Sequence, residues 1–449
     1  MSLLLYRLFL WMYPTALRLV SPWNTKAKRW LQGRDGIMER LKAEMPVSTD
    51  GVVWMHCASL GEFEQGRPVL ESLRAIYPDI KFVISFFSPS GYDAARRYLG
   101  ANYIFYLPMD SLSNARQLVD IIKPTLVLWV KYDYWYYYMN ELRDRGIPLL
   151  LLSGVFRKDQ SFFRWYGGIH RKMLRCVTQF FVQSELSQEL LHSLKVFNVT
   201  VSGDTRFDRV IEIAETAGEV DGIQDFCNHS PVIVAGSTWE EDEEELDHFA
   251  NTHTDIKFII APHEVNETRL SELEKMFKYT IRYSALTNPK PQTQTPVFGK
   301  PETGNRKPET ETQNPKPETQ NPKPETPNVL IIDNIGLLSR LYRYATIAWV
   351  GGGFGNDGVH NVLEAAVYGK PVVFGPVYDK YLEAIELVGS GGGFSVENAL
   401  EAEGLFTTLL IDKEEYDIAC EASREYVYAK QGATEKIIDY IQEKRLLTS

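Results

Sequence analysis

Residues 51–88, GVVWMHCASLGEFEQGRPVLESLRAIYPDIKFVISFFS, contain two short apolar runs separated by a helical pattern. Each run has the length of a buried strand, and Val69, Leu70 and Leu73 recur at the spacing of one helix face. Short apolar runs that alternate with amphipathic helices are typical of βαβ units, whose strands form a parallel sheet. The stretch therefore predicts an α/β fold.

The same alternation extends over most of the chain. Further apolar runs are NYIFYLP, TLVLWV, IPLLLLSG and QFFVQS, and a second series begins at PVIVAGST and continues with IKFIIAPHE, NVLIID, IAWVGGG and KPVVFGP. Two such series predict two Rossmann-like, doubly wound domains with a hinge near residues 209–230. The predicted organisation is an N-terminal segment at 1–40, a first domain at 41–215, a second domain at 216–430 and a C-terminal helix or tail at 431–449.

Residues 287–327 interrupt the second series with the recurring sequence NPKPET and almost no apolar side chains. Such a segment cannot bury enough surface to offset the entropy of ordering it. We therefore expect a disordered insertion in a loop of the second domain.

Charge and cysteine content exclude some classes of protein. A net charge of −11 argues against broad nucleic-acid binding. The four cysteines have no CxxC spacing, which favours reduced thiols in a cytoplasmic protein over a disulfide framework or a zinc site. The acidic run at residues 240–245 is interpreted as a solvated helix start rather than a metal site.

The N-terminus begins MSLLLYRLFLWMYPTALRLV, an apolar and aromatic stretch interrupted by Arg7, Pro14 and Arg18. A basic set follows it, made of Lys26, Lys28, Arg29 and Arg34. This combination predicts a segment that lies on, or barely enters, an anionic membrane surface. The alternative is a helix packed on its own domain.

A second basic and aromatic stretch, FRKDQSFFRWYGGIHRKMLR, occupies residues 156–175. Cations beside aromatic rings can bind lipid phosphates while the rings lie at the interface. The candidate residues are Arg157, Arg164, Trp165 and Arg171. The alternative is an ordinary solvated helix with a few packed aromatic side chains.

Glu62 follows the first strand directly, where the next helix begins. Parallel sheets bind ligands outside the carboxyl ends of their strands, so this carboxylate is placed to accept a proton from a substrate. The alternative is that Glu62 only caps the helix. Its position alone does not separate the two interpretations.

A glycine-rich stretch, WVGGGFGNDGVHNVLEAAVYGKPVVFGP, occupies residues 349–376. Gly352 and Gly353 let the backbone approach a ligand closely, and HNVLEAA predicts a helix whose first N–H groups form an anion site. Asn361 and Glu364 are spaced to face that site, and a carboxylate there can bind ribose hydroxyls. The stretch matches neither the dinucleotide fingerprint nor the P-loop.

These motifs carry a family resemblance. HCASLGEFEQGRP is similar to an H-x-x-S-x-G-E element, and GGGFGNDGVHNVLEAAVYGKP is similar to G-G-S…G-G-H-N-x-L-E-P-A. SFFSPSGYDAA, FVQSELSQELL, VSGDTRFD and IIAPHE match further elements of the same family. Over most of residues 1–440 the chain resembles the 3-deoxy-D-manno-octulosonic acid (Kdo) transferases of Gram-negative lipid A assembly.

The resemblance implies a GT-B fold, with two Rossmann-like domains facing across a cleft and an N-terminal membrane-associated helix. It implies transfer of Kdo from CMP-Kdo to the lipid A precursor lipid IVA, in lipopolysaccharide synthesis at the cytoplasmic face of the inner membrane. No cofactor is implied, and no metal is expected in the chemical step. The expected partners are CMP-Kdo, lipid IVA and an anionic membrane surface, with no nucleic acid.

The resemblance also assigns residues. Glu62 is the implied base, Ser59 and Gly61 shape its loop, and Asp133 and Arg206 complete the catalytic set. The implied CMP-binding residues are Pro262, His263, Gly336, Leu337, Leu338, Asn361, Val362, Leu363 and Glu364. An ion pair within the protein is the alternative role for Arg206.

The chain departs from the family pattern at three places. KYDYWYY stands where the family has E-T-E-L-W-P, so Lys131 reverses a charge and only Trp135 is retained outright. His263 stands where the family has arginine after the proline, and GLL replaces G-E-L at residues 336–338.

Two other functions are compatible with the sequence. One is a GT-B glycosyltransferase that uses a UDP- or GDP-sugar on another lipid acceptor, which donor competition by CMP against UDP would separate. The other is a non-catalytic, two-lobed protein that binds a nucleotide or sugar. It would form no transfer product, and Glu62→Gln would leave its binding intact.

Overall fold

The computed structural model describes residues 3–45, 51–131, 133–287, 326–356 and 358–447. The chain divides into two compact units, Met1–Glu212 with Tyr428–Ser449 and Ile213–Val427. Residues 288–325, which form nearly all of the predicted insertion, lie outside the described residues.

Each unit is built on one parallel seven-stranded sheet. The first sheet has the order β3-β2-β1-β4-β5-β6-β7 and the second the order β10-β11-β9-β8-β12-β13-β14. The strands are β1 (Val52–Cys57), β2 (Lys81–Phe86), β3 (Tyr103–Tyr106), β4 (Leu126–Val130), β5 (Leu149–Gly154), β6 (Gln179–Val182), β7 (Val199–Val201), β8 (Val232–Thr238), β9 (Lys257–Pro262), β10 (Thr280–Arg282), β11 (Val329–Ile331), β12 (Ile347–Val350), β13 (Val372–Phe374) and β14 (Gly393–Ser395).

Helices connect the strands. They are α1 (Leu3–Val20), α2 (Thr25–Arg34), α3 (Ile37–Glu44), α4 (Leu60–Ile76), α5 (Pro89–Ala95), α6 (Leu112–Ile122), α7 (Tyr136–Asp144), α8 (Gly168–Leu174), α9 (Glu185–Ser193), α10 (Thr205–Thr216), α11 (Ile223–Cys227), α12 (Glu240–Thr252), α13 (Glu267–Met276), α14 (Tyr283–Thr287), α15 (Leu338–Leu341), α16 (Leu363–Ala366), α17 (Leu382–Ser390), α18 (Ala399–Ile411), α19 (Lys413–Tyr428) and α20 (Ala433–Glu443). The 3₁₀ turns are Ser161–Phe163 and Tyr342–Tyr344.

The α/β class and the strands predicted from apolar runs are confirmed. The central strands β1, β4 and β5 are buried at every residue, because helices cover both faces of a parallel sheet. The sequence did not indicate β10 and β14. Each has three residues and is incompletely buried, so neither produces an apolar run.

Local capping explains where the helices begin. The cap of α5 is Ser88, whose Oγ accepts a hydrogen bond from Gly91 N at 3.2 Å. Pro89 then occupies the first helical position, where a missing N–H costs nothing.

Both ends of the chain pack into the first unit. Tyr6, Ile37 and Leu41 belong to one hydrophobic core of that unit, while Ile437 and Ile441 of α20 belong to another. Asp208 fixes the start of α20, because its carboxylate accepts hydrogen bonds of 2.6 Å from Gly432 N and Thr434 N.

In each sheet the first strand lies where the strand order reverses. In the first sheet, β1 lies between β2 and β4. In the second sheet, β8 lies between β9 and β12. The carboxyl end beside such a switch point is where open α/β sheets bind ligands. The helices that begin there are α4 and α12.

Candidate functional site

Glu62 lies in the first turn of α4, at the carboxyl end of β1. Its Oε2 accepts a hydrogen bond from Ser59 N at 2.7 Å and another from Ser59 Oγ at 3.1 Å. The capping interpretation is therefore realised, because an orphan N–H at the helix start is satisfied. Oε1 has no hydrogen-bond partner among the residues that the structure describes. One oxygen holds the turn, and the other makes no hydrogen bond within the described part of the chain.

The pKa of Glu62 is raised. Burial of the carboxylate is the largest cause, and the negative charge of Asp133 adds to it, while the hydrogen bonds from Ser59 act in the opposite direction. A raised pKa makes a carboxylate a stronger base once it is ionised, which is the property that proton abstraction needs.

A chain of polar side chains leads from the buried sheet to Asp133. Trp54 Nε1 donates to Ser85 Oγ at 2.8 Å, and Ser85 Oγ lies 2.9 Å from His56 Nδ1. His56 Nε2 in turn lies 3.4 Å from Asp133 Oδ2. If Ser85 donates to Nδ1, then Nε2 carries the proton and points at the Asp133 carboxylate.

Asp133 is held from several sides. Trp135 Nε1 donates to its Oδ2 at 3.3 Å, and Trp129 Nε1 donates to its backbone carbonyl. The ring of Trp129 also packs against His56, with ring centroids 4.4 Å apart. The structure therefore brings Asp133 into the electrostatic environment of Glu62, which the sequence predicted only through the resemblance.

Arg206 is engaged in an ion pair. Its guanidinium donates to Asp204 Oδ2 from Nε at 2.9 Å and from Nη2 at 2.8 Å, and Gln183 Nε2 donates to the same oxygen at 2.8 Å. The charges of Arg206 and Lys131 outweigh burial and lower the pKa of Asp204. The ion-pair alternative is thus observed, and a direct role for Arg206 in binding substrate stays a prediction.

In the second unit, three rings stack at the carboxyl ends of the strands. His263 lies between Trp239 and His360, with centroid distances of 4.5 Å to the indole and 4.6 Å to the other imidazole. Trp239 Nε1 donates to His360 Nε2 at 3.1 Å. Pro262 ends β9 immediately before this stack. A flat aromatic surface of this kind suits a planar ligand.

The glycine-rich loop is fixed by Asp242, which lies in the first turn of α12. Asp242 Oδ2 accepts hydrogen bonds from Trp239 N at 2.9 Å and from Gly352 N at 2.8 Å. Gly352 has a φ of +91°, and a Cβ on Gly353 would lie 2.5 Å from Gly375 N. These glycines are required by the protein's own neighbouring backbone.

The acidic run was misinterpreted at two positions. Asp242 and Glu243 are fully buried rather than solvated. Burial raises the pKa of Asp242 to about 6, against the effect of its bonds to Gly352 and Trp239. Glu243 accepts from Thr238 Oγ1 at 2.6 Å and pairs with Arg269. Asp242 contacts a loop 110 residues away and Glu243 pairs with a residue of another helix, so the local pattern did not reveal the burial of either acid.

The predicted helix after the glycine loop is much shorter than the sequence suggests. The helix α16 has four residues, and Asn361 Oδ1 already accepts from Leu363 N at 3.3 Å. The predicted helix length is wrong, and the predicted anion site at the helix start stays a prediction. Asn361 Nδ2 donates to Glu364 Oε1 at 3.0 Å, so these two predicted donor-site residues do lie together. Val362 and Leu363 beside them are buried.

The remaining predicted residues lie at strand ends or on the surface. Gly336 has a φ of +97° and precedes Leu337 and Leu338, where α15 begins. Gly61 faces open space. Trp165 is 91% exposed, and Arg157 and Arg164 are exposed too. Arg171 is instead directed at the protein, donating at 2.9 Å to the carbonyls of Phe162 and Arg164.

A cavity of about 730 Å³ lies beside α1 and α2 in the first unit. Its lining includes Pro14, Arg18, Trp30 and Gln117.

Among the residues that the structure describes, no group of three or more His, Cys, Asp or Glu side chains is arranged to hold a metal ion.

A family model described as 3-deoxy-D-manno-octulosonic-acid transferase (kdotransferase) matches residues 32–209, which include the Glu62 turn. The enzyme of that name from Aquifex aeolicus is 25% identical over 84% of this chain and 90% of its own length. The one from Bordetella pertussis is 23% identical over 97% of this chain and 96% of its own. The chain is therefore similar to Kdo transferases over most of its length.

Similarity to these Kdo transferases identifies the chain as a glycosyltransferase. A further relative is a bifunctional glycosyltransferase/methyltransferase from Fusobacterium nucleatum, which is 28% identical over 78% of this chain. This chain spans about half of that relative's length, 51%.

Solved structures of similar fold support the GT-B class. UDP-GlcNAc 2-epimerase from Neisseria meningitidis superposes with a TM-score of 0.58 at 17% identity, covering 87% of this chain and all of that one. A glycosyltransferase from Rickettsia africae superposes with a TM-score of 0.51 at 16% identity, covering 88% of this chain and 98% of that one. At such identities the likeness concerns the fold alone.

Several candidate residues were not singled out from the sequence. They are His56, Ser85, Trp239, Asp242 and His360. The sequence did contain a signal for Asp242. It lies three residues after Trp239, just as Glu62 lies three residues after Ser59, and this is the spacing of a helix cap. His56 and His360 occur in the quoted family patterns but were given no role, whereas Ser85 and Trp239 are recognisable only through their contacts.

Proposed function

We propose that this protein transfers Kdo from CMP-Kdo to a hydroxyl group of lipid IVA, with Glu62 as the general base. The observation that carries the proposal is the state of Glu62 within the region that matches the family model. It is buried, its pKa is raised, and it has one oxygen engaged by Ser59 and one without a described partner.

The proposed step is a direct displacement. An ionised Glu62 oxygen takes the proton of the acceptor hydroxyl, whose oxygen forms a bond to the anomeric carbon of Kdo. The bond from that carbon to the phosphate oxygen of CMP breaks, and CMP leaves with the electron pair. Proton removal by a positioned carboxylate contributes about 10²–10⁴ in rate.

We place CMP at the carboxyl edge of the second sheet. Trp239, His263 and His360 offer stacked rings for the cytosine base, and the paired Asn361 and Glu364 offer polar atoms for the ribose. The proposal includes no metal in the chemical step, because the sequence has no DxD motif at a strand end. Unchanged transfer in EDTA would agree with this, and loss restored by Mg²⁺ would contradict it.

We place the protein at the cytoplasmic face of the inner membrane. The acylated acceptor is held in a bilayer, and the exposed Trp165, Arg157 and Arg164 form a surface suited to lipid phosphates and the interface. A second contribution comes from α1, which is the one helix among the described residues long and apolar enough to cross a membrane.

The test is product formation followed by mass spectrometry. Wild-type protein and Glu62→Gln are mixed with tetra-acylated lipid IVA and CMP-Kdo. We expect added Kdo mass with the wild type and almost none with the variant. The glutamine can still accept the hydrogen bond from Ser59 N, so the two proteins should unfold at the same temperature.

The outcomes separate the alternatives. Equal transfer by both proteins would keep the reaction and exclude Glu62 as its base. No transfer by folded protein that binds CMP would indicate a different acceptor. Protein that binds UDP or GDP but not CMP would favour another nucleotide-sugar donor. Binding without transfer for any donor would favour a non-catalytic protein.

A further inference from the structure

Helix α1 has two faces with different surroundings. Tyr6 is buried, and Leu3 and Leu10 pack partly against the same core. The opposite face is apolar and exposed, with Leu4 76%, Leu8 47% and Trp11 68% accessible. Its other exposed apolar residues are Leu5, Phe9, Met12, Leu19 and Val20. The alternation follows the helical period, so one side of α1 packs on the protein and the other side is largely exposed.

Polar contacts hold the inner face to the domain. Tyr6 Oη donates to Asp110 Oδ2 at 2.6 Å and accepts from Tyr136 N at 3.1 Å. The Asp110 carboxylate also accepts from Tyr137 N and Tyr138 N, so it closes the start of α7 as well. Arg7 Nε donates to Tyr137 Oη at 2.6 Å. Helix α1 is therefore held to the N-terminus of α7 by hydrogen bonds, of which the one from Tyr6 to Asp110 is buried.

Further along α1, the contact with the domain continues. The ring of Tyr13 lies 5.6 Å from that of Trp30 and 6.0 Å from that of Phe87. The contacts of Tyr6 and Tyr13 thus extend over about two turns of the helix. A helix that crosses a bilayer cannot keep these contacts, because the domain would have to enter the hydrocarbon with it.

The length of α1 leads to the same conclusion. Its 18 residues span about 27 Å, while the hydrocarbon core is about 30 Å thick. Arg7 and Arg18 lie within this length, and the side chain of Arg7 is already bonded to Tyr137. Charged side chains at that depth are costly unless they reach the interface.

Exposed cations lie on α2, the helix that follows α1 and contacts it. They are Lys26, Lys28 and Arg29, the last of which also pairs with Asp93 at 3.4 Å, and Trp23 before α2 is 87% accessible. Arg34 does not contribute to this surface, since it donates to the carbonyls of Leu107 and Phe87. In a protein with a net charge of −11, an exposed basic set beside an exposed apolar helix face fits an anionic bilayer.

We infer that α1 lies in the plane of an anionic phospholipid bilayer, with its Leu4–Leu8–Trp11 face in the lipid and its Tyr6 face on the domain. The hydrogen bonds of Tyr6 and Arg7 set the orientation of the first unit on that surface. The inference deepens the membrane placement proposed above and does not depend on the identity of the transferred sugar.

Protease protection tests the orientation in cytoplasmic-face-out inner-membrane vesicles that contain the full chain. One form carries a protease site and tag before the first residue, and a second form carries them after the last. For an in-plane helix, added protease removes both tags at the same rate. Removal of the N-terminal tag only after detergent, with the C-terminal tag removed at once, would show a helix that crosses the membrane and overturn the inference.

Flotation with vesicles of phosphatidylglycerol and phosphatidylethanolamine tests the surface. The variant Leu4→Ser/Leu8→Ser/Trp11→Ser should reduce the bound fraction at least about tenfold, because apolar area leaves the lipid. Leu99→Ser/Leu400→Ser/Ile411→Ser removes three apolar side chains elsewhere that are at least as exposed, and this control should bind like the wild type. Equal binding by both variants, or loss in the control alone, would refute the docking surface. Neither assay contains CMP-Kdo, so both remain decisive if the proposed reaction is wrong.

Discussion

Each unit has an acidic side chain in the first turn of the helix that follows the first strand of its sheet, and the two acids differ in what surrounds them. Glu62 and Asp242 are both the third residue of the helix that follows the first strand of their sheet, beside the switch point. Each accepts a hydrogen bond from the backbone N–H of the residue before the helix, from Ser59 and Trp239 respectively. Burial raises the pKa of each.

The difference lies in what else meets the carboxylate. Asp242 also binds Gly352 N, so it joins the start of α12 to the glycine loop. Glu62 has no such second bond among the described residues and instead lies in the field of Asp133. One acid therefore serves the architecture of its unit, whereas the other remains available for chemistry. Helix capping alone does not reveal which acid is which.

The largest expected difference between the two acids is in catalysis. Glu62→Gln should lower the transfer rate about 10²- to 10⁴-fold, because a general base is lost while the cap hydrogen bond is kept. Steady-state rates with CMP-Kdo and lipid IVA measure the effect. A rate within a few-fold of the wild type, from protein with an unchanged unfolding temperature, would mean that Glu62 is not the base and that neither acid is catalytic.

The second expected effect is on stability. Asp242→Ala leaves the N–H groups of Trp239 and Gly352 without their acceptor and should lower the free energy of unfolding by about 1–3 kcal/mol. Urea denaturation measures it. The control is Glu241→Ala, an exposed acid in the same helical turn, which should stay within about 0.5 kcal/mol of the wild type. Equal losses of stability in the two variants would mean that the charge at the helix start, and not the bond to the glycine loop, explains the effect of Asp242→Ala.

A smaller effect is expected at the ring stack of the second unit. Trp239→Phe keeps a ring against His263 but removes the donor to His360, so CMP should bind about 2- to 10-fold more weakly. Trp239→Ala also removes the ring and should weaken CMP binding further. Calorimetric titration with CMP measures the affinity of each variant. Unchanged affinity in both variants would place the nucleotide away from this stack.

The smallest expected effect is a shift in pH dependence. The proposed base must be ionised, so we expect the rate to fall as pH drops through the raised pKa of Glu62. Asp133→Asn removes a negative charge that raises this pKa, so the acidic limb of the rate profile should move to lower pH. Asparagine can still accept from His56 and Trp135, which limits the structural change.

The result is read from profiles of kcat/KM against pH for both proteins. An acidic limb that stays in place would mean that a group other than Glu62 controls it. A limb that moves to higher pH would contradict the sign of the interaction between the two carboxylates.

The sequence by itself determined the secondary structure and the position of Glu62. Apolar runs and helical spacing depend on residues within a few positions of one another, so most of the strands could be predicted from local patterns alone. The same holds for the turn after β1, where Ser59, Gly61 and Glu62 are neighbours in the chain. Where the pattern was weak, as in α16 and in the three-residue strands β10 and β14, the sequence prediction was wrong or silent.

Tertiary structure alone decided what surrounds each acid. Asp133 reaches His56 across 77 residues, and Gly352 reaches Asp242 across 110. Folding aligns the carboxyl ends of parallel strands and so brings such residues together, whereas their spacing in the sequence carries no trace of it. Burial, a raised pKa and an engaged or available oxygen all depend on those contacts. The sequence placed two acids at two helix starts, and packing made one structural and left the other a candidate base.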